Sequence, residues 1–434
     1  MSKRHFAADV LAFGVAGFLG KCVAVLVVPL LTRSFTVDEY GAFDLLIAGS
    51  GLVAVVCSMS FESYLARSWG MLDLRGQKSK AFSSLLSIVI AVGIILAAIF
   101  FFGSVKISVL ILGTASQKWP VFWVLASGVV IAISSLPLMV LRMTRRIQQF
   151  LFINLIQHGS YITIIVYCSA YKELNFSTAS AAFLTSQLLG LLMALFFSRD
   201  YIRITVDSSV LWPAFRYSLP LLPAVGASAL NQQVDRYSLL YHHDAALVGR
   251  FAVVTKVAAL ISVAVMVFRQ AWLPYSYALA RRDDCGASIF ARVLTAYYIL
   301  GLATCSVILL SSTSLMEILA PSEYKIDPTI LPVILLASLT YGSASIVNVG
   351  TMTSGKTEWN TYAALIGLAI NIVLTMTLVP YFGIAGAAWG TLVASIVFVG
   401  VLGWRSRIDA SIIFPLGLQG AMSMIYLLVA VVWL

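Results

Sequence analysis

Four charged side chains lie inside long apolar stretches of the sequence: Lys21, Asp235, Arg236 and Lys256. A charge in hydrocarbon costs about 3 kcal/mol or more, so it persists there only beside water, an ion or an opposite charge. Lysine and arginine in such a place suit the binding of an anion, and Asp235 suits the binding of a proton or a metal cation. An internal salt bridge, such as Lys21 with Asp44 or Asp235, is the alternative that the sequence leaves open.

Three more charged residues are candidates at the ends of the apolar stretches. Arg33 and Arg250 are expected in joints between stretches, where each is either an anion ligand or a solvated loop charge. Glu62 is expected at the end of the second stretch, as a second candidate for ion coupling or as an interfacial cap. Asn348 and Asn371 are expected to form hydrogen bonds between helices, with a sugar contact as the alternative.

These residues are carried by about thirteen apolar stretches of roughly twenty residues, each long enough to cross about 30 Å of hydrocarbon as a helix. Hydrophobic residues make up 60% of the chain and charged residues only 11%. Backbone polar groups find no water in lipid, so the stretches must be helical. We predict an all-α integral membrane protein without room for a soluble catalytic domain. The predicted helices are 10–31, 41–62, 82–103, 119–141, 150–170, 178–198, 214–242, 246–270, 289–310, 328–350, 360–381, 383–404 and 412–434.

The joints between these helices differ in charge. Of the 28 lysines and arginines, we place 19 in alternate joints that include the N-terminus, six in the opposite joints and three within spans. Basic loops stay in the cytoplasm, so we expect a cytoplasmic N-terminus. The net charge of +10 lies in short joints, which argues against a nucleic-acid partner. The cysteines lack metal-ligand spacing and a glycine-rich nucleotide-binding loop is absent, so we expect no metal, no cofactor and no ATP hydrolysis.

The two halves of the chain repeat each other weakly. Residues 41–43 match 249–251, and residues 179–183 match 385–389, at offsets of 208 and 206. Six spans per half indicate a parallel repeat, in which two bundles move around a central site. We therefore expect six-helix bundles at 1–205 and 206–405, and an additional C-terminal transmembrane helix at 406–434.

Five motifs follow one another in the order expected of one transporter family. They are VVPLLTRSFTVDEYG at 27–41, RYSLPLLP at 216–223, Asp235-Arg236 followed by Gly249 and Lys256, Trp272-Leu273-Pro274, and PYFGIAGAAWGT at 380–391. Together they resemble the Wzx-type flippases of O-antigen and polysaccharide repeat units, in the multidrug/oligosaccharidyl-lipid/polysaccharide (MOP) exporter superfamily. A single extra span after the twelfth departs from that pattern.

The resemblance implies a MATE/MOP-like fold with a central cationic cavity and no enzymatic activity. It implies transport of an undecaprenyl-pyrophosphate-linked oligosaccharide across the bacterial inner membrane, from the cytoplasmic to the periplasmic leaflet. Membrane lipids, a polysaccharide polymerase and a chain-length regulator are the expected partners, and a proton or sodium gradient is the expected energy source. A MATE-like multidrug or cation antiporter and a membrane glycosyltransferase or polymerase are the alternatives.

Overall fold

A computed structural model describes residue 20 and residues 22–72, 74–203, 205–280, 286–325, 327–354, 356, 358–410 and 412–433. The regular structure in these ranges is helical. Ten helices among the described residues are long and apolar enough to cross a membrane. The predicted fold class, an all-α protein with many membrane spans, is confirmed.

Internal contacts divide the chain into two compact units, Met1–Ala229 and Leu230–Leu434. Helix α9 (Leu222–Asn231) contains the division. The helices before it are α1 (Val28–Ser34), α2 (Val37–Ser58), α3 (Phe61–Trp69), α4 (Arg75–Leu112), α5 (Lys118–Met143), α6 (Ile147–Ala170), α7 (Phe176–Ser198) and α8 (Ser208–Ser218). The helices after it are α10 (Val234–His242), α11 (Ala245–Ala280), α12 (Gly286–Leu310), α13 (Ser312–Leu319), α14 (Ile330–Val347), α15 (Val349–Thr353), α16 (Glu358–Phe382), α17 (Ile384–Ala410) and α18 (Leu416–Trp433).

Helix α5 lies at the centre of the first unit, where it packs against α2, α4 and α7. Its contact with α2 depends on Gly128. A methyl group at Gly128 would overlap the carbonyl oxygen of Ser50 and would lie 2.8 Å from Cβ of Val53. The absence of a side chain there lets the two backbones approach closely, as is common between membrane helices.

The second predicted span, 41–62, does not continue to its expected end. Helix α2 ends at Ser58, and Met59 and Ser60 then adopt the left-handed conformation with φ of 50° and 57°. Two successive left-handed residues cannot continue a right-handed helix, so the chain turns and α3 begins at Phe61. Glu62 therefore lies in the first turn of α3, not at the end of the second span.

The linker 199–218, between α7 and the end of α8, is attached to α4 by hydroxyl groups. Ser83 Oγ donates to Tyr201 O at 3.2 Å and accepts from Arg203 N at 2.7 Å. Ser84 Oγ accepts from Asp207 N at 2.9 Å. The linker is thus an ordered part of the first unit, with its backbone groups paired to side chains of a membrane helix.

The seventh predicted span, 214–242, is three shorter helices, namely α8, α9 and α10. Pro220 lies between α8 and α9, and Pro223 is in the first turn of α9, where a missing N–H is tolerated. Proline at these two positions accounts for the first interruption, because it lacks the N–H of a continuous helix. A second interruption at Gln232 and Gln233 carries no proline or glycine, and the sequence pattern did not predict it.

In the second unit α17 packs against α14 and α16, and α18 packs against α12 and α14. At one end, the Asp409 carboxylate accepts from Lys356 Nζ at 3.0 Å and from Arg405 Nε at 2.8 Å, with its side chain only 1% exposed. This ion pair attaches the start of α16 to the end of α17. Helix α18 lies within the predicted C-terminal segment 406–434, and its apolar part, Leu416–Ala430, is shorter than the ten candidate spans.

Candidate functional site

A buried carboxylate forms the centre of the site in the second unit. Asp235 lies in the first turn of α10 and is 8% exposed. Thr391 Oγ1, on α17, lies 2.8 Å from each of the two carboxylate oxygens. A hydroxyl has one proton, so it neutralises little of the carboxylate charge, and a buried carboxylate otherwise needs a cation or a proton beside it.

Helix α16 adds amide and hydroxyl groups that are linked to the carboxylate through Thr391. Asn371 Nδ2 donates to Asn231 O at 3.2 Å and to Asn231 Oδ1 at 3.0 Å. Thr375 Oγ1 donates to Asn371 Oδ1 at 2.9 Å, and Thr391 Oγ1 lies 3.4 Å from that oxygen. We call Asn231, Asp235, Asn371, Thr375 and Thr391 the oxygen cluster.

The oxygen cluster has the chemistry of a cation site. Its atoms are a carboxylate, amide oxygens, hydroxyls and the last carbonyl of α9, which are hard ligands of the kind that alkali and alkaline-earth cations take. It also lies at the interruption between α9 and α10. Interrupted helices in transporters expose backbone carbonyls that coordinate coupling ions. The described residues contain no cluster of three His, Cys, Asp or Glu suited to a transition metal.

Arg236 follows Asp235 but is directed to other partners. Arg236 Nη1 donates to Gln232 O at 3.2 Å and to Gln233 Oε1 at 3.1 Å. Its guanidinium carbon lies 5.9 Å from the ring centroid of Phe251. Adjacent residues on a helix point about 100° apart, so α10 presents a carboxylate in the oxygen cluster and a guanidinium on another face.

The other two basic candidates of the second unit lie on α11. Lys256 is half-buried, as expected for a residue within a span. Arg250 was expected in a joint, although the predicted helix 246–270 contains it. Helix α11 begins at Ala245, so the helix prediction is confirmed and the expectation of a joint is wrong. Arg250 Nε is buried and has no hydrogen-bond partner among the described residues. A buried guanidinium N–H without a protein acceptor suits an anion or water.

Two candidates lie in the first unit. Arg33 was predicted in a loop, and that prediction is wrong, because it lies in the last turn of α1, where it is exposed and donates to Pro29 O at 3.0 Å. Glu62 is half-buried, and its Oε2 has no hydrogen-bond partner among the described residues. The remaining candidate, Lys21, lies outside the described residues.

Sequence reasoning identified Asp235 but not the whole oxygen cluster. The prediction of a hydrogen bond between helices is confirmed for Asn371 by its contact with Asn231, whereas Asn348 Oδ1 accepts from Thr351 Oγ1, three positions further along the chain. Thr375 and Thr391 were missed. Thr391 is 156 positions from Asp235, so only the folded chain brings them together. The one sequence signal was indirect, since Thr391 ends the motif PYFGIAGAAWGT.

The sequence matches no protein-family model and no curated protein. The structure is similar to an inward-facing multidrug resistance MATE family transporter of the MOP superfamily, with a TM-score of 0.74, 14% identity, and coverage of 93% of this chain and 98% of that one. It is also similar to the lipid II flippase MurJ in an inward closed conformation, with a TM-score of 0.75, 16% identity, and coverage of 97% and 92%. The chain thus has the fold that this MATE family transporter shares with the lipid II flippase MurJ.

Proposed function

We propose that this chain is an ion-coupled flippase of the bacterial inner membrane. Its cargo is an oligosaccharide linked to undecaprenyl pyrophosphate, of the O-antigen or capsule type, which it moves from the cytoplasmic to the periplasmic leaflet by alternating access. The N-terminus is cytoplasmic. The delivered cargo is then used by a polysaccharide polymerase and a chain-length regulator.

One observation carries the proposal. Helix α10 places a buried carboxylate among uncharged oxygen ligands and, at the next position, a guanidinium with different partners. The first group suits a coupling cation and the second suits the diphosphate of the cargo. Because both are on one short helix between two interruptions, a movement of α10 affects cation and cargo together.

The basic candidates support an anionic cargo. Arg236, Arg250 and Lys256 lie on α10 and α11, whereas Asp235 is the acidic candidate on these helices. A cation antiporter of the MATE type needs carboxylates directed at its substrate. Asp235 here accepts from Thr391 and belongs to the oxygen cluster, which favours a small coupling cation as its ligand. We propose Na⁺, because a proton would need only the carboxylate and not the amide and hydroxyl oxygens around it.

The test uses the full chain in proteoliposomes with a fluorescent undecaprenyl-pyrophosphate oligosaccharide. Transfer between leaflets is measured with a membrane-impermeant reagent that modifies the sugar. Arg236→Ala removes the proposed phosphate ligand, and a lost charge-assisted hydrogen bond of about 2 kcal/mol lowers the transfer rate about 30-fold. Arg407→Ala removes an exposed arginine in the last turn of α17 and is the matched control, with an unchanged rate.

Two results would contradict the proposal. Equal rates for the Arg236→Ala and Arg407→Ala proteins would remove the cationic site from cargo transport. Gradient-driven export of a cationic dye, without movement of the lipid-linked sugar, would instead establish the drug-antiporter alternative.

A further inference from the structure

Two glutamines meet at mid-depth in the unit Met1–Ala229, where α6 packs against α7. Gln157 lies about 15 Å from the start of α6, near the middle of this candidate span. Its Nε2 donates to Gln187 Oε1 on α7 at 2.6 Å. The opposite side of α6 carries exposed apolar side chains, namely Phe152, Leu155 and Val166. Helix α6 thus has an apolar side suited to lipid and a polar side that contacts α7.

A pair of aromatic rings lies one helical turn from the pair of glutamines. Tyr161 on α6 and Phe183 on α7 meet edge to face, with ring centroids 5.8 Å apart. Each ring is four positions from the glutamine on its own helix, and residues four apart share a helix face. The amide pair and the aromatic pair are therefore about 6 Å apart along the helices. We call Gln157, Tyr161, Phe183 and Gln187 the amide–aromatic ladder.

The amide–aromatic ladder leaves hydrogen-bonding groups unused. Gln187 is 8% exposed, and its Nε2 donates to no acceptor in the part of the chain that the structure describes. Within the same described ranges, Tyr161 Oη and the ring nitrogens of His158, the neighbour of Gln157, also form no hydrogen bond. Polar groups without partners are costly at this depth of a membrane. They suit a ligand that supplies several donors and acceptors at once.

We propose that the amide–aromatic ladder binds a sugar residue of the lipid-linked cargo, an inference that rests on the function proposed above. Each sugar hydroxyl both donates and accepts, and an amide does the same through its two ends. The amides of Gln157 and Gln187 bond the hydroxyls, while the ring of Tyr161 packs against the C–H groups of the sugar. A surface with a few polar groups beside an aromatic ring is the usual lining of a small-ligand site.

The chemistry of the ladder favours the sugar over the other parts of the cargo and over a drug. Helices α6 and α7 contain no Asp, Glu, Lys or Arg. A diphosphate would find no cationic partner on them, and a cationic drug would find no carboxylate, so either would lose hydration without compensation. A neutral sugar exchanges its hydrogen bonds with water for hydrogen bonds with amides and loses no ionic hydration.

The experiment measures binding of two lipids to the purified full chain in nanodiscs. The probes are the undecaprenyl-pyrophosphate oligosaccharide isolated from the cell that makes this chain and undecaprenyl pyrophosphate without sugar. Gln157→Leu/Gln187→Leu should weaken binding of the glycosylated lipid about 30-fold, because each amide loses one hydrogen bond, and should leave binding of the sugar-free lipid unchanged. Gln148→Leu is the matched control, since Gln148 is exposed on the opposite side of α6, and it should keep both affinities.

Binding of the sugar-free lipid by the double variant also shows that this protein is folded. Unchanged binding of the glycosylated lipid by the double variant would overturn the proposal. An equal loss for both lipids would overturn it too, because the amide pair would then only hold α6 against α7. Equal affinity of the unmodified chain for the two lipids would overturn this inference alone, whereas binding of neither lipid would overturn the proposed function and this inference with it.

Discussion

Replacement of Thr391 by valine tests the oxygen cluster directly. Valine has nearly the shape of threonine but lacks the hydroxyl that lies 2.8 Å from both oxygens of Asp235 and 3.4 Å from Asn371 Oδ1. The substitution therefore removes one oxygen ligand and the hydroxyl that hydrogen-bonds the carboxylate, while it leaves the packing of α17 almost unchanged.

The size of the effect follows from the contact that is lost. A hydrogen bond to a charged group contributes about 1.5–3 kcal/mol. With about 2 kcal/mol as the central value, the dissociation constant for the coupling cation rises about 30-fold. The substitution is expected to weaken cation binding, because valine offers no lone pair in place of the hydroxyl.

Sodium binding to the purified chain is measured by isothermal titration at constant ionic strength, with choline replacing sodium. Thr377→Val is the matched control. Thr377 lies on α16 two positions after Thr375, but it is exposed and its hydroxyl bonds only to its own helix, at Val373 O and Leu374 O. The reasoning fails if a folded Thr391→Val protein keeps its sodium affinity within about threefold, or if Thr377→Val weakens it equally.

Three further substitutions test other parts of the structure. Gly128→Ala should lower the free energy of unfolding by about 2 kcal/mol through overlap with α2, whereas Gly51→Ala, with no atom within 4 Å of the added methyl, should be neutral or slightly stabilising; similar unfolding temperatures for the two would contradict this packing. Asn371→Ala should remove sodium binding and also lower the free energy of unfolding by about 2 kcal/mol, because it leaves buried partners without hydrogen bonds; a protein that is as stable as the parent and binds sodium normally would exclude Asn371 from the cluster. Asp409→Asn should lower the free energy of unfolding by about 1 kcal/mol, as measured by thermal unfolding. The value is modest because the Lys356 side chain is half exposed. The loss should disappear in 1 M salt if it comes from charge pairs that salt screens.

The helices were predictable because lipid leaves the backbone no alternative. A run of apolar residues that enters a membrane must pair its own N–H and C=O groups, so hydropathy alone located the spans of α4 to α7 and of α16 and α17. The break before α9 also has a simple physical cause, since Pro220 lacks the N–H that a helix needs.

The sequence pattern did not predict the other two helix interruptions. Met59 and Ser60 adopt left-handed conformations that glycine or asparagine would have signalled, and Gln232 and Gln233 are ordinary helix formers. Tertiary packing determines such breaks, and packing cannot be inferred from a single sequence. Asp235 stood out because a charge in an apolar run is costly. Its partner Thr391 and the nearby Thr375, which bonds to Asn371, are uncharged, cost little in a membrane helix and were therefore not predicted.

The attachment of the linker 199–218 to α4 determines where the gene can be divided for expression as two fragments. A division after residue 205 would separate Asp207 from the fragment that holds Ser84, and would expose the ends of a paired segment to proteases. A division after Ser218 keeps every linker contact with Ser83 and Ser84 inside one polypeptide. Fragments 1–218 and 219–434 are therefore the better starting point for complementation of separately encoded halves.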